Sequence, residues 1–233
     1  MKNKQNIFIV FEVLALLLLI LCFMPHGEER LSEEEIESLR TKYILYDQEN
    51  PMVEFTSEYY NKTIRDYVKN NHTFVYCEVL RDAYEELSGL DRIMYVKVKV
   101  ISDTEGFFEE GDEFAFRYGI MDSYYSPQPK KGDRIVVPVG FSIYNKIFDI
   151  YGDRNGCYYV TEDDFVISAF FERGDIKYSG IKIDSLMKKL KKTYLESTEY
   201  LKLMKEEYNH SNGRRGFENL NEYKKLIRSK ITE

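Results

Sequence analysis

Two stretches of this chain are nearly the same phrase: EEGDEFAFRYG, from Glu109 to Gly119, and KKGDRIVVPVG, from Lys130 to Gly140. Each opens on two like charges, passes through Gly-Asp and enters an apolar run that ends at glycine. A phosphate cradle would need several glycines at the opening of a helix, and neither phrase has them. Glycine supplies positive φ and aspartate hydrogen-bonds to nearby backbone, so Gly-Asp ahead of an apolar run reads as a turn that admits a strand. The pair recurs at nearly the same interval as Gly152-Asp153 and Gly174-Asp175. Recurrent turns between short apolar runs predict a small antiparallel barrel or sandwich.

The neighbouring segments fit that reading. HTFVYCEVL places Val75, Cys77 and Val79 on one face. RIMYVKVKVIS places Met94, Val96, Val98 and Val100 on a packed face and Ile93, Tyr95, Lys97 and Lys99 on a wet one. DEFAFRY, DRIVVPV, GCYYVTE and DFVISAFF complete six predicted strands, the last two joined through Asp163 and Asp164. Upstream, LSEEEIESLRTKYILYD carries a capping box, Ser32 with Glu35, and Leu31, Ile36, Leu39 and Tyr43 near one face, which predicts a short helix. TSEYYNKTIRDYVKNN predicts a second helix. Downstream, Ile183, Leu186, Met187, Leu190, Tyr194, Leu201, Met204 and Tyr208 form the apolar stripe of a long helix, with Lys188, Lys189, Lys191 and Lys192 on its other side. That lysine run reads as a solvated face, with contact to anionic lipid or wall polymer as the alternative.

The N-terminus is different material. MKNKQN is basic, IFIVFEVLALLLLILCFM is apolar over 18 residues except for Glu12, and PHGEERLSEEEIES is acidic. Eighteen helical residues span roughly 27 Å, about one hydrocarbon core. Lys2 and Lys4 ahead of the run put the N-terminus inside and the rest outside. Glu12 would cost about 2–3 kcal/mol if ionised at mid-membrane. The exit LILCFMPHG lacks the small residues of a cleavage site, which favours an uncleaved anchor. LILC also resembles a lipobox around Cys22, although Leu21 stands where a small residue belongs, so a lipoprotein is the runner-up. Of the other cysteines, Cys77 reads first as a small core residue, and a pairing with Cys157 stays open.

The formal net charge of −7 argues against nucleic acid as a partner, since phosphate binding needs a basic surface. The three histidines, His26, His72 and His210, share no ligand spacing, so no metal is expected. GDRNG and TEDD lack a full calcium-loop ligand series, and Asn155-Gly156 reads as a hairpin turn. No cofactor and no catalytic set is expected, because no G-x-S-x-G elbow marks a nucleophile. The candidate ligand-binding residues are Tyr124 and Tyr125 in the loop MDSYYSPQPKK, with Lys130 and Lys131 at its end. Covering the barrel end is the competing role for the tyrosines.

The order of these segments, with FVYCEVL, YVKVKVISDTEGFFEEGDEFAF, KKGDRIVVPV, YYVTEDDFVIS and YSGIKIDSLMKKLKK, resembles a class of secreted or membrane-attached proteins of low-GC Gram-positive bacteria. The resemblance covers roughly residues 55 to 192 and implies a small OB-like barrel followed by a helix; its motifs are structural and imply no catalytic residues. The expected protein is therefore α+β, mainly β with flanking helices. Residues 1–26 are an anchor or signal, 27–55 a juxtamembrane helix and linker, 56–184 the barrel and 185–233 a helical extension. It is expected to be a single-pass membrane protein with its C-terminal domain outside, binding an envelope protein or a cell-wall polymer. The competing expectation is an envelope hydrolase using carboxylates among Asp122, Asp163 and Asp164, which rests only on acid abundance.

Overall fold

The structure is a computed structural model that describes residues 28–43, 72–88, 91–118, 129–142, 147–150, 157–168, 178–209, 228–229 and 231. The apolar N-terminal run, Cys22, the expected helix over 56–71, Asp122, Tyr124, Tyr125, Asn155-Gly156 and two of the four Gly-Asp pairs lie outside these residues. Among the described residues no helix is long and apolar enough to cross a membrane.

The elements in chain order are α1 (Glu33–Tyr43), β1 (Thr73–Val79), β2 (Tyr84–Ser88), β3 (Asp91–Asp103), β4 (Glu113–Tyr118), β5 (Arg134–Ser142), β6 (Ile147–Asp149), β7 (Tyr158–Val160), β8 (Val166–Ser168) and α2 (Ile183–Asn209). All six expected strands are present. Two more, β2 and β6, were not expected. Tyr84–Ser88 has no apolar alternation, and it becomes a strand by pairing along β3, Tyr84 opposite Tyr95 and Ser88 opposite Asp91.

Five strands close on themselves in the order β1-β3-β4-β6-β5, with β5 pairing back to β1. The expectation of a purely antiparallel barrel is corrected at one seam, where β4 and β6 run parallel, Phe116 opposite Phe148 and Arg117 opposite Asp149. The reason is one of parity. A ring with an odd number of strands cannot alternate direction all the way round, so at least one neighbouring pair must be parallel.

The barrel interior is filled by one face of each strand, as period-two alternation requires. Val75, Cys77 and Val79, Met94 to Val100 in alternation, Phe114 and Phe116, Ile135, Val137 and Val139, and Phe148 form one cluster. The faces expected for β3 are those observed: Met94, Val96, Val98 and Val100 are buried, while Lys99 is exposed. β1 differs because its second face is covered as well. Phe74 and Tyr76 join Val136, Tyr158, Val160 and Val166 in a second cluster that receives Ile183, Leu186 and Leu190 of α2. The long helix therefore packs on the outside of β1, β5, β7 and β8.

The repeated phrase is a repeated turn. Gly111 and Gly132 have φ of +89° and +88°, the third-position geometry that type II turns reserve for glycine. Asp112 Oδ2 accepts the Glu109 N–H at 2.7 Å, and Asp133 Oδ2 accepts the Lys130 N–H at 2.7 Å. Each turn also docks on a strand through the same two bonds. Gly111 N–H donates to Val100 O at 2.9 Å and Val100 N–H to Asp112 O at 2.8 Å. Gly132 N–H donates to Val79 O and Val79 N–H to Asp133 O, both at 2.8 Å. One motif thus starts both β4 and β5, which matches the turn reading.

Near the C-terminus, Arg228 reaches the first of these turns, 2.6 Å from Asp112 and 2.9 Å from Glu109, and Ile231 packs against the interior cluster.

The segment before α1 straps the helix side of the barrel. Leu31 N–H donates to Gly180 O at 2.9 Å, and Arg30 bridges to Ile181. The expected capping box forms: Glu35 Oε2 accepts the Ser32 N–H at 2.8 Å and the Glu35 N–H donates to Ser32 Oγ at 3.3 Å. The Ser32 N–H, and the Ser32 hydroxyl that donates to the same oxygen at 2.8 Å, hold the Glu35 carboxyl below its usual range. Ile36 is buried against Ile167 of β8. Gly180 is where the strap comes closest: its φ is +82°, and a Cβ there would lie 2.6 Å from Ile36 Cδ1. Gly180→Ala is expected to lower stability by about 2 kcal/mol, combining left-handed strain with a forced shift of Ile36. Denaturant unfolding checks this, and an unchanged midpoint would show that the strap is not seated on the barrel.

Cys77 and Cys157 form no disulfide with each other and are both buried in the interior cluster. Burial pushes the Cys77 thiol well above its usual range, with Cys157 adding to the shift. Cys77 lies on β1 and Cys157 immediately precedes β7, and these two strands pair with β5 on its opposite sides. Two strand spacings are about 9.6 Å, beyond the Cα separation that a disulfide spans. Both cysteines therefore act as small core residues.

Candidate ligand-binding face

The outer face of β3 from Ile93 to Lys99 is a side that α2 leaves open, whereas Ile101 beyond it packs against the cluster that receives α2. Its residues alternate as Ile93, Tyr95, Lys97 and Lys99, none of them fully buried. The register extends this face sideways. Tyr84 of β2 stands opposite Tyr95, Tyr95 opposite Arg117 of β4, and Arg117 opposite Asp149 of β6. A single row, Tyr84, Tyr95, Arg117 and Asp149, thus crosses four strands.

The row has definite geometry. The Tyr84 and Tyr95 rings stack with centroids 5.8 Å apart and planes 26° apart. Arg81 lies over the Tyr84 ring, its Cζ 3.2 Å from the centroid, a cation–π contact. Arg117 pairs with Asp149 at 3.4 Å. Burial pushes the Asp149 carboxyl above its usual range, and the Arg117 guanidinium opposes that shift. Beside the row Lys97 faces Ala115, whose short side chain leaves a low floor, and Lys97 Nζ pairs with Glu113 at 2.9 Å. The face thus offers two tyrosine rings, three cationic groups and two carboxylates around a small residue. That set can stack against a flat or apolar ligand surface and hydrogen-bond at its edges.

The expected binding residues stand in a definite relation to this row. Lys130 and Lys131 are exposed, and their backbones build the turn: the Lys131 N–H donates to Asp82 Oδ1 at 2.8 Å. The Ala83 N–H donates to Pro129 O at 3.4 Å. The loop that carries Tyr124 and Tyr125 leaves β4 at Tyr118, opposite Met94, and returns at Pro129, next to Ala83 and Tyr84. Both ends of the loop therefore lie at the tyrosine end of the row. Sequence reading placed Tyr95 on a wet face but missed its partner Tyr84. The available signal was a solvent-side tyrosine alternating with lysines.

Of the carboxylates weighed for hydrolysis, Asp122 lies outside the described residues. Asp163 and Asp164 sit in the tight β7–β8 turn, both exposed. Asp164 takes up a left-handed φ of 64° and pairs with Arg134 at 2.6 Å. Arg134 also donates to the carbonyls of Thr161 and Glu162 and to Tyr76 Oη at 3.2 Å, so its guanidinium ties that turn to β1 and β5. Lys182 Nζ donates to Asp163 O at 2.9 Å. Among the described residues no group of three His, Cys, Asp or Glu side chains is placed to hold a metal ion. No family model, no curated protein and no solved structure matches this chain.

Proposed function

We propose that this protein is a membrane-anchored, extracytoplasmic binding module whose OB-like barrel holds a cell-wall glycan on the β2–β3–β4 face. The observation that carries the reading is the row of Tyr84 and Tyr95 with Arg81 and Arg117 on a side of the barrel that α2, among the described residues, leaves uncovered. The OB-like assignment is supported by the strand order with one parallel seam, because the Greek-key closure of OB barrels also needs five strands. In such barrels the face of the second and third barrel strands, here β3 and β4, and the adjoining loops take oligosaccharides or oligonucleotides. The net charge of −7 favours the saccharide. Sugars present CH-rich faces to aromatic rings and hydroxyls to charged groups, which suits this row and the loop bearing Tyr124 and Tyr125. The anchor is supported by the basic, apolar and acidic order of the N-terminal residues.

The test is retention of the detergent-solubilised full chain on purified wall glycan. A Tyr84→Ala, Tyr95→Ala variant is expected to lose at least tenfold in affinity, as for two removed stacking partners, with an unchanged fold by circular dichroism. A Tyr124→Ala, Tyr125→Ala variant is expected to lose binding by a smaller factor. Full retention by the Tyr84, Tyr95 variant would sink this assignment of the face, and capture of an envelope protein in place of glycan would change the ligand class.

A further inference from the structure

The first turns of α2 carry a second surface, on the side turned from the barrel. Ile183, Leu186 and Leu190 are buried against the strands, whereas Lys188, Lys191 and Lys192 are exposed. Leu195 lies three, four and seven positions after these lysines, so all four side chains share one helix face. Leu195 is 56% exposed, the one large apolar side chain so placed among the described residues. Lys192 is 3.9 Å from Glu196, and Lys189, on the neighbouring face, pairs with Glu28 at 2.6 Å. Lys188 and Lys191 have no carboxylate within ion-pair distance among the described residues. An exposed leucine framed by lysines suits a helix that lies on a lipid surface, with the apolar group dipping inward and the long stems carrying their charges to headgroups.

The strap decides which surface is within reach. Glu28, held on Lys189, comes four residues after Met24, the end of the apolar run. Four extended residues span at most about 14 Å. The Glu28 backbone therefore sits within roughly that distance of the point where an anchored chain leaves the bilayer, and its carboxylate holds Lys189, the neighbour of Lys188. A soluble polyanion would engage the lysines but would have no use for Leu195.

We infer that Lys188, Lys191, Lys192 and Leu195 rest on the anionic lipid headgroups of the membrane that anchors the chain. The inference depends on the anchored reading above. It has a geometric consequence: α2 covers β1, β5 and β7, so with α2 on the bilayer the Tyr84–Tyr95 row on β2 and β3 faces away from it.

The experiment uses the full chain in nanodiscs of phosphatidylcholine alone or of phosphatidylcholine with phosphatidylglycerol. Acetylation rates of individual lysines are read by mass spectrometry. Lys188, Lys191 and Lys192 are expected to react roughly fivefold more slowly in the anionic discs, the factor that matches one lysine near such a surface, with the difference removed by high salt. Lys97 and Lys130, on other parts of the surface, serve as internal controls and should not change. Leu195→Ser should reduce the protection while the barrel stays folded. Equal rates in the two discs, with the chain integrated in both, overturn the inference and leave the anchor standing. Protection by an added wall polyanion but not by phosphatidylglycerol also overturns it. A chain that fails to integrate into either disc removes the anchored reading and this inference together.

Discussion

Val98→Asp is expected to cost at least about 4 kcal/mol, enough to remove much of the stability of a domain of this size. Val98 has no exposed surface and lies in the middle of β3, opposite Val79 of β1 on one side and Phe114 of β4 on the other. A carboxylate there would face Val79 and Phe114 across the two neighbouring strands, and neither side chain offers a hydrogen-bond donor. Val137→Asp, on β5 opposite Val75, is expected to behave in the same way. Lys97→Gln, one residue from Val98 but on the outer face, removes only the exposed pairing with Glu113 and should cost less than about 1 kcal/mol. Urea unfolding of the three variants distinguishes the faces of the strand. Similar midpoints for Val98→Asp and Lys97→Gln would mean that the inside and outside of β3 have been interchanged.

The second large effect is expected at the seam where the barrel closes. Phe116 has no exposed surface, stands opposite Val96 across the antiparallel pair and opposite Phe148 across the parallel one. Phe114, Phe108 and Phe148 form the aromatic cluster beside it, with the Phe108 and Phe114 rings stacked at 4.7 Å and the Phe114 and Phe148 rings at 4.8 Å. Phe116→Ala should cost about 3–5 kcal/mol, because the lost transfer energy is joined by a cavity that a closed barrel cannot collapse. Phe116→Leu refills most of the volume and should recover more than half of that loss. The parallel seam rests on only two paired positions of β6, so hydrogen exchange in β6 should rise in Phe116→Ala before it rises in β3. A loss below about 1 kcal/mol would show that the seam is held by its backbone bonds and not by the aromatic packing.

Much of this architecture is determined by the sequence alone, for a local reason. Period-two alternation over Arg92–Ser102 assigns each side chain of β3 to a face whatever lies across from it, and the buried set is the one read from the pattern. The two Gly-Asp turns are local too, since positive φ and an aspartate cap act within four residues. The capping box of α1 and the buried stripe at the start of α2 belong to the same class. What depended on tertiary structure was everything fixed by a distant partner. Tyr84–Ser88 and Ile147–Asp149 have too few alternating residues to declare themselves, and they are strands because β3, β4 and β5 offer them hydrogen bonds. Burial of Phe74 and Tyr76 on the second face of β1 needed α2 to cover it. The row of Tyr84, Tyr95, Arg117 and Asp149 draws on residues up to 65 positions apart in the chain, brought level only by the register of four strands. No local pattern encodes such a register. It follows from the closure of the ring, and closure is a property of all five strands at once.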